Sequence, residues 1–253
     1  MARQVSKTAQ GVAVVRAGFR DRPHSPSGDP DAQRRLVRGM RAGRAPLLRD
    51  HILARTRFFD TCVLAAVERG VRQVVIVGAG YDDRALRFRS PGVRFFEVDE
   101  PATQADKRRR VEELGGEGLV FVAADLERDS LAELLADAGH DADLPTLFVV
   151  EGLVIYLEAG DIVKLLRALR ERAAPQSELA ISLAVHDDDL DSATVLRAAN
   201  ARRLRSGRRE PWRTILPAAQ HLELLRRAGW EEQETVGDSA GSLFVRAEVQ
   251  SRA

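Results

Sequence analysis

Apolar positions in this chain follow two alternating rhythms. Between Asp50 and Gly70, the residues Ile52, Leu53, Phe58, Phe59, Cys62, Val63, Leu64 and Val67 recur at helical spacing, and Gly70 is a suitable stop. Val71–Val77 is then β-branched and nearly continuously apolar, the pattern of a parallel strand covered on both faces. Similar short runs follow at Val93–Val98, Leu119–Ala123, Thr146–Val150 and Leu179–Val185. Helix-like segments separate them at Asp82–Phe88, Pro101–Leu114, Leu131–Ala138 and Asp161–Ala174, the last with Asp161 as N-cap and Ile162, Leu165, Leu166 and Leu169 as its apolar face.

Strands alternating with helices predict an α/β fold built on right-handed crossovers, with ligand chemistry at the C-terminal strand ends. The charged segment 187–219 breaks the rhythm and reads as an inserted lid. An amphipathic helix carrying Leu222, Leu224, Leu225 and Ala228 follows, stopped by Gly229. Glu231–Val236 and Ser242–Val249, joined by the turn-forming residues Gly237–Gly241, are expected to close the sheet as an antiparallel pair. The whole chain, 1–253, is read as one domain, with residues 1–70 forming a helical cap.

Each strand end carries candidate chemistry. Gly78-Ala79-Gly80 after the first strand is a glycine turn that lets a ligand approach the backbone. Asp83 stands where the dinucleotide fingerprint has its third glycine, and Asp82 and Asp83 are expected to repel a pyrophosphate there. The second strand ends in Glu97-Val98-Asp99; the two acids share a face, and either carboxylate could accept both hydroxyls of a ribose. Asp125 and the backbone of Leu126 after the third strand suit an adenine. Glu151 after the fourth suits the ammonium or sulfonium of a ligand. A row of acids without a phosphate-binding lysine points to a positively charged adenosine compound, and S-adenosyl-L-methionine meets that description.

Composition narrows the class. The 253 residues carry 44% hydrophobic and 30% charged positions with a net charge of +1, which excludes wholesale disorder and a membrane bundle. Cys62 is the single cysteine, so no internal disulfide forms, and it is expected in the core. No apolar run approaches the ~20 residues that span a bilayer, and Met1–Gly18 reads as no export signal, so a cytoplasmic protein is expected. Lysine occurs only at 7, 107 and 164. Two arginine-dense stretches, Arg34–Arg57 and Arg202–Arg213, could bind anions locally, although balanced net charge argues against a nucleic-acid partner.

The segments RTRFFD (Arg55–Asp60), RQVVIVGAGYDDRALRF (Arg72–Phe88), FFEVDEPATQADK (Phe95–Lys107), AADL (Ala123–Leu126) and VVEGLVIYL (Val149–Leu157) resemble, in order and spacing, the leucine carboxyl methyltransferase family. That resemblance covers residues 5–245. It implies a class I methyltransferase fold: a seven-stranded, mostly parallel sheet with helices on both faces and a helical lid. It also implies S-adenosyl-L-methionine contacts by Arg55, Gly78, Asp99, the pair Asp125-Leu126 and Glu151, with Gly80 in the same turn; an N-terminal basic contact matches Arg16. The family's Asp-Thr-Arg is Asp82-Asp83-Arg84 here, and the chain is shorter in the cap and lid, the regions that contact substrate.

The resulting expectation is an O-methyltransferase that esterifies a carboxylate of a small, acidic molecule such as a polyketide-type metabolite, with a phenol as next choice. A carboxylate, with pKa near ~4, is already ionised, whereas a phenol near ~10 needs a base. His186 is the histidine placed at the active edge. Tyr156 could bind a substrate oxygen, and Arg202, Arg205 and Arg209, or Arg84 and Arg87, could attract an acid. No catalytic residue is assigned. The acids Asp187, Asp188, Asp189 and Asp191 read as a solvated loop, so no metal is expected. An RNA methyltransferase using the Arg34–Arg57 face and a non-methylating S-adenosylmethionine-binding relative are the alternatives.

Overall fold

The computed structural model describes residues 5–40, 49–114, 119–205 and 210–250. Arg209, and Arg41 and Arg44 of the first arginine-dense stretch, lie outside them. Helices α1 (Lys7–Ala17), α2 (Ala32–Leu36) and α3 (Arg49–Glu68) precede β1 (Gln73–Val77), the one-turn α4 (Arg84–Arg87), β2 (Arg94–Asp99), α5 (Pro101–Glu112) and β3 (Leu119–Ala123). Then come α6 (Leu131–Asp137), β4 (Thr146–Val150), a 3₁₀ turn (Val154–Tyr156), α7 (Ala159–Glu171), β5 (Glu178–His186) and α8 (Ser192–Arg205). The two-residue β6 (Leu216–Pro217), α9 (Ala218–Arg227), β7 (Trp230–Asp238) and β8 (Ser242–Val249) complete the chain.

The main sheet runs β3-β2-β1-β4-β5-β8-β7, with β6 pairing on β5. β1 to β5 are mutually parallel, and β8 lies antiparallel between β5 and β7. Seven strands form the expected path. The short β6 has no apolar run to announce it; it exists because the segment after α8 passes the end of β5. Helix α7 begins at Ala159 with Glu158 as N-cap, so Asp161 lies inside the first turn and not at the cap.

The period of two along the strands divides the core. Val75, Val77, Phe96, Val98, Phe148 and Val150 face α6, α7 and α9, while Val74, Ile76, Phe95, Leu147 and Val149 face α3 and α4. Cys62 belongs to the second layer, as expected, and burial pushes its thiol up to about 12. Charged side chains of Glu231, Glu232 and Glu234 lie along the edge strand β7, which discourages further strand pairing.

Candidate active site

Strand register assembles the site. Val77 stands opposite both Val98 and Val150, so Gly78, Asp99 and Glu151, each one residue further on, form a row at the C-terminal edge. Asp99 in turn stands opposite Ala123, which brings Asp125 and Leu126 to the same edge. Connections leave β1 and β4 in opposite directions, and a crevice opens at such a switch point.

The glycine turn is built for close approach. Gly78 (φ +68°) and Gly80 (φ +49°) hold left-handed conformations. A Cβ on Gly80 would stand 2.9 Å from Cβ of Ala9, so α1 is seated directly on the turn. Asp99, half-buried, accepts the Gly80 N–H at 2.6 Å and the Glu100 N–H at 2.7 Å. Burial pushes its carboxyl up to about 6 against the lowering effect of those two N–H groups. Glu97 does not share this role: it is buried against Lys107, whose Nζ also donates to the Asp82 carbonyl at 2.6 Å. Its carboxyl rises to about 7 through burial, with Lys107 opposing.

Glu151 is the centre of a buried ionic cluster. Its carboxylate accepts from Arg55 Nε at 2.8 Å, Arg84 Nη1 at 2.7 Å and Arg16 Nη2. Burial would raise this carboxyl, but the charges of Arg16, Arg84 and Arg55 hold it well below the ordinary carboxylate range. Gly152 (φ +68°) makes room for Arg55, since a Cβ there would lie 3.2 Å from Nη1, and the Ser182 hydroxyl accepts the Gly152 N–H at 2.7 Å. Arg84 is fully buried and also binds Asp60 at 2.8 Å and Asp82.

Asp82 and Asp83 therefore do not act as repelling charges at an open helix end. Asp83 takes a bidentate pair from Arg22, both bonds 2.8 Å, plus Arg87 Nε at 3.0 Å, and Asp82 is paired with Arg84 and, at 3.5 Å, with Arg16. The acid that replaces the family's threonine at 83 is thus answered by Arg22. Arg84 and Arg87 are enclosed structural cations rather than substrate contacts. Across the cluster, five guanidiniums (16, 22, 55, 84 and 87) face four carboxylates (60, 82, 83 and 151). Arg16 Nε and Arg22 Nε are buried and meet no acceptor among the described residues. Of the two, Arg16 stands beside Glu151 at the strand ends, and a surplus cation with that unanswered donor suits the carboxylate of an amino acid.

Other expected residues fall apart. His186 ends β5, with its ring nitrogens bonded to the Asp187 carbonyl at 2.7 Å and the Ser192 hydroxyl at 2.7 Å. Asp191 accepts the Thr194 N–H within the first turn of α8, while Arg202 and Arg205 point outward. Arg34 and Arg35 pair with Asp31 and Asp29, Arg49 stacks on Phe19 and Arg55 turns inward, so the Arg34–Arg57 stretch forms no single face among the described residues. Sequence reasoning missed Arg22, Asp60 and Lys107 as parts of the site's frame; the RTRFFD and FFEVDEPATQADK segments contained two of them, but pairing partners so far apart carry no local pattern. Among the described residues, no helix is long and apolar enough to cross a membrane.

The strand order and crevice are those of the class I S-adenosylmethionine-dependent methyltransferases. A Thermobifida fusca protein described as a methyltransferase superposes with a TM-score of 0.63 at 16% identity, over 98% of this chain and 96% of that one. Human N-acetylserotonin methyltransferase, solved in complex with S-adenosylmethionine, gives 0.50 at 14% identity, over 71% of this chain and 48% of that one. These two likenesses concern the fold alone. The model of the leucine carboxyl methyltransferase family matches residues 10–170, and the chain belongs to that family. It is 38% identical over 200 residues to a Parafrankia sp. protein named as an S-adenosyl-L-methionine-dependent methyltransferase, covering 70% of this chain and 62% of that protein. A similarly named Streptomyces coelicolor protein is 38% identical over 193 residues, covering 70% and 68%.

Proposed function

We propose that the protein is an S-adenosyl-L-methionine-dependent O-methyltransferase that esterifies a carboxylate of a small molecule. The observation that carries the reading is the row of Gly78, Asp99 and Glu151 beside a guanidinium surplus in which Arg16 Nε lacks an acceptor. In this reading Arg16 and Arg55 hold the methionine carboxylate, and Glu151 keeps both arginines aimed. Gly78 and Gly80 form the floor of the crevice, Asp99 accepts the ribose hydroxyls, and Asp125 with the Leu126 backbone receives the adenine. When bound, the cofactor supplies a sulfonium-linked methyl group.

The protein's remaining task is to hold the acceptor oxygen in line and exclude water, which by itself supplies much of the rate. A carboxylate acceptor is ionised near neutrality and needs no base. That matches an active edge where His186 has both ring nitrogens engaged. Calorimetric titration tests the reading first: micromolar binding of S-adenosylmethionine and S-adenosylhomocysteine with none of NAD is expected. Methyl transfer to a panel of carboxylic acids and phenols then tests the acceptor. Transfer to phenols alone would overturn the carboxylate assignment.

Asp99→Ala is expected to weaken S-adenosylhomocysteine binding by about 1.5–3 kcal/mol, the range for hydrogen bonds to a charged group. The ribose hydroxyls donate to the carboxylate form. Because burial pushes the Asp99 carboxyl up to about 6, affinity should fall as pH drops through that value and hold steady above it. In Asp99→Asn this pH dependence should vanish; a slope that survives the substitution would assign the titration to another group.

A further inference from the structure

The segment after β5 makes contacts that the cofactor reading does not use. Arg203 is the residue that α8 buries. Its guanidinium carbon lies 4.6 Å from the ring centre of Trp212 and 5.8 Å from that of Tyr156, and Nη2 and Nε donate to the Glu210 carbonyl at 2.7 and 3.2 Å. Asn200 holds the same strap by exchanging two hydrogen bonds of 2.8 Å with the Trp212 backbone. The strap is bound to the far side of the crevice by Arg213 N–H to the Ile155 carbonyl at 2.8 Å and by the Thr214 hydroxyl to the Leu157 carbonyl at 2.6 Å.

Glu210 then reaches the cap. Its carboxylate accepts the Ser6 hydroxyl at 3.0 Å, and Ser6 is the N-cap of α1. That helix seats Ala9 on Gly80 and brings Arg16 to Glu151. A chain of contacts thus runs from Tyr156 through Arg203, Glu210 and Ser6 into α1 and, by way of Arg16, to Glu151.

We propose that Arg203 is a positioning residue that joins α8, Tyr156 and, through Glu210 and Ser6, the cap helix α1 into one cover over the crevice. A stacked guanidinium suits this task, since it packs two rings with its faces and bonds a carbonyl with its edge. Cover and crevice open together because the strap is the shared part. The kinetic arm of the test rests on the S-adenosylmethionine reading; the exchange arm does not.

Hydrogen exchange of the full chain without ligand is the direct experiment. Arg203→Met should speed amide exchange in α1, which Arg203 reaches through Glu210 and Ser6, by about tenfold, comparable to the loss of one charge-assisted contact. Glu210→Ala, which keeps the backbone carbonyl, should speed exchange in α1 while leaving α8 unchanged. Arg203→Lys, which retains charge but not the planar stack, should be intermediate, and it carries the test together with Glu210→Ala if the methionine variant fails to fold. In stopped-flow mixing with S-adenosylhomocysteine, Arg203→Met should raise association and dissociation rates together, leaving Kd within about threefold. Unchanged α1 exchange in both Arg203→Met and Glu210→Ala would overturn the coupling. Failure of the parent protein to bind S-adenosylhomocysteine would overturn the cofactor reading instead, with the exchange result still deciding the coupling of Arg203 to α1.

Discussion

Glu151→Ala is expected to destabilise the fold by about 3–5 kcal/mol, the cost of removing one partner from a buried ion pair. The side chain is buried, and its two oxygens are shared among Arg16, Arg55 and Arg84. Without it, Arg55 loses the acid it is paired with, and Arg16 and Arg84 are left to Asp82 and Asp60 in a cluster where guanidiniums already outnumber carboxylates. At the size of this domain the loss corresponds to a fall in Tm of about 6–20 °C. The effect has a pH signature. The folded carboxyl is held below its ordinary value of 4.5, so its contribution is fully present above that value and is lost as pH falls beneath it. The difference between parent and variant should therefore shrink on acidification below about pH 4.5. A Tm unchanged at pH 7, with cofactor affinity lost, would make Glu151 a ligand contact rather than a structural centre.

Trp230→Ala is expected to cost a similar amount, about 3–5 kcal/mol, by a different mechanism. Trp230 is fully buried where β7 begins, meets Phe148 edge-on at 6.0 Å between ring centres, and donates its indole N–H to the Leu166 carbonyl at 3.0 Å. Truncation empties space between β4 and α7 and removes the indole's bond to that carbonyl. No titrating group is involved, so the loss should be flat across pH. Because the crevice itself is untouched, saturating S-adenosylhomocysteine should recover about 2.7 kcal/mol at a hundredfold excess over Kd. The same addition should recover far less for Glu151→Ala, whose binding site is damaged. Thermal denaturation of both variants with and without the ligand separates the two mechanisms; equal recovery in both would contradict the separation.

Legibility differed by element for physical reasons. Strands β1 and β4 stood out because burial on both faces demands unbroken apolar runs, and the expected bounds of three strands, Leu119–Ala123, Thr146–Val150 and Ser242–Val249, match residue for residue. The amphipathic helices α7 and α9 were visible for the complementary reason, one face apolar and one polar. Helix α4 was overestimated: Asp82 and Asp83 have helix-start chemistry, but their carboxylates are drawn to Arg84, Arg22 and Arg87, leaving one turn. Glu97 and Asp99 looked equivalent on one strand face, and only Lys107, arriving on α5, tells them apart by taking Glu97 into the core.

By itself, the sequence determined which segments are the seven strands of the main sheet, their βα rhythm, and the placement of a glycine turn and acids at consecutive strand ends. Those properties rest on local periodicity and on residue types that act where they stand. Tertiary structure alone decided the partners: Arg16 meets Glu151 from 135 residues away, Arg22 meets Asp83 from 61, and Ser6 meets Glu210 from 204. A charge has no intrinsic periodicity and no preferred neighbour in sequence, so the path of the chain selects which arginine answers which acid.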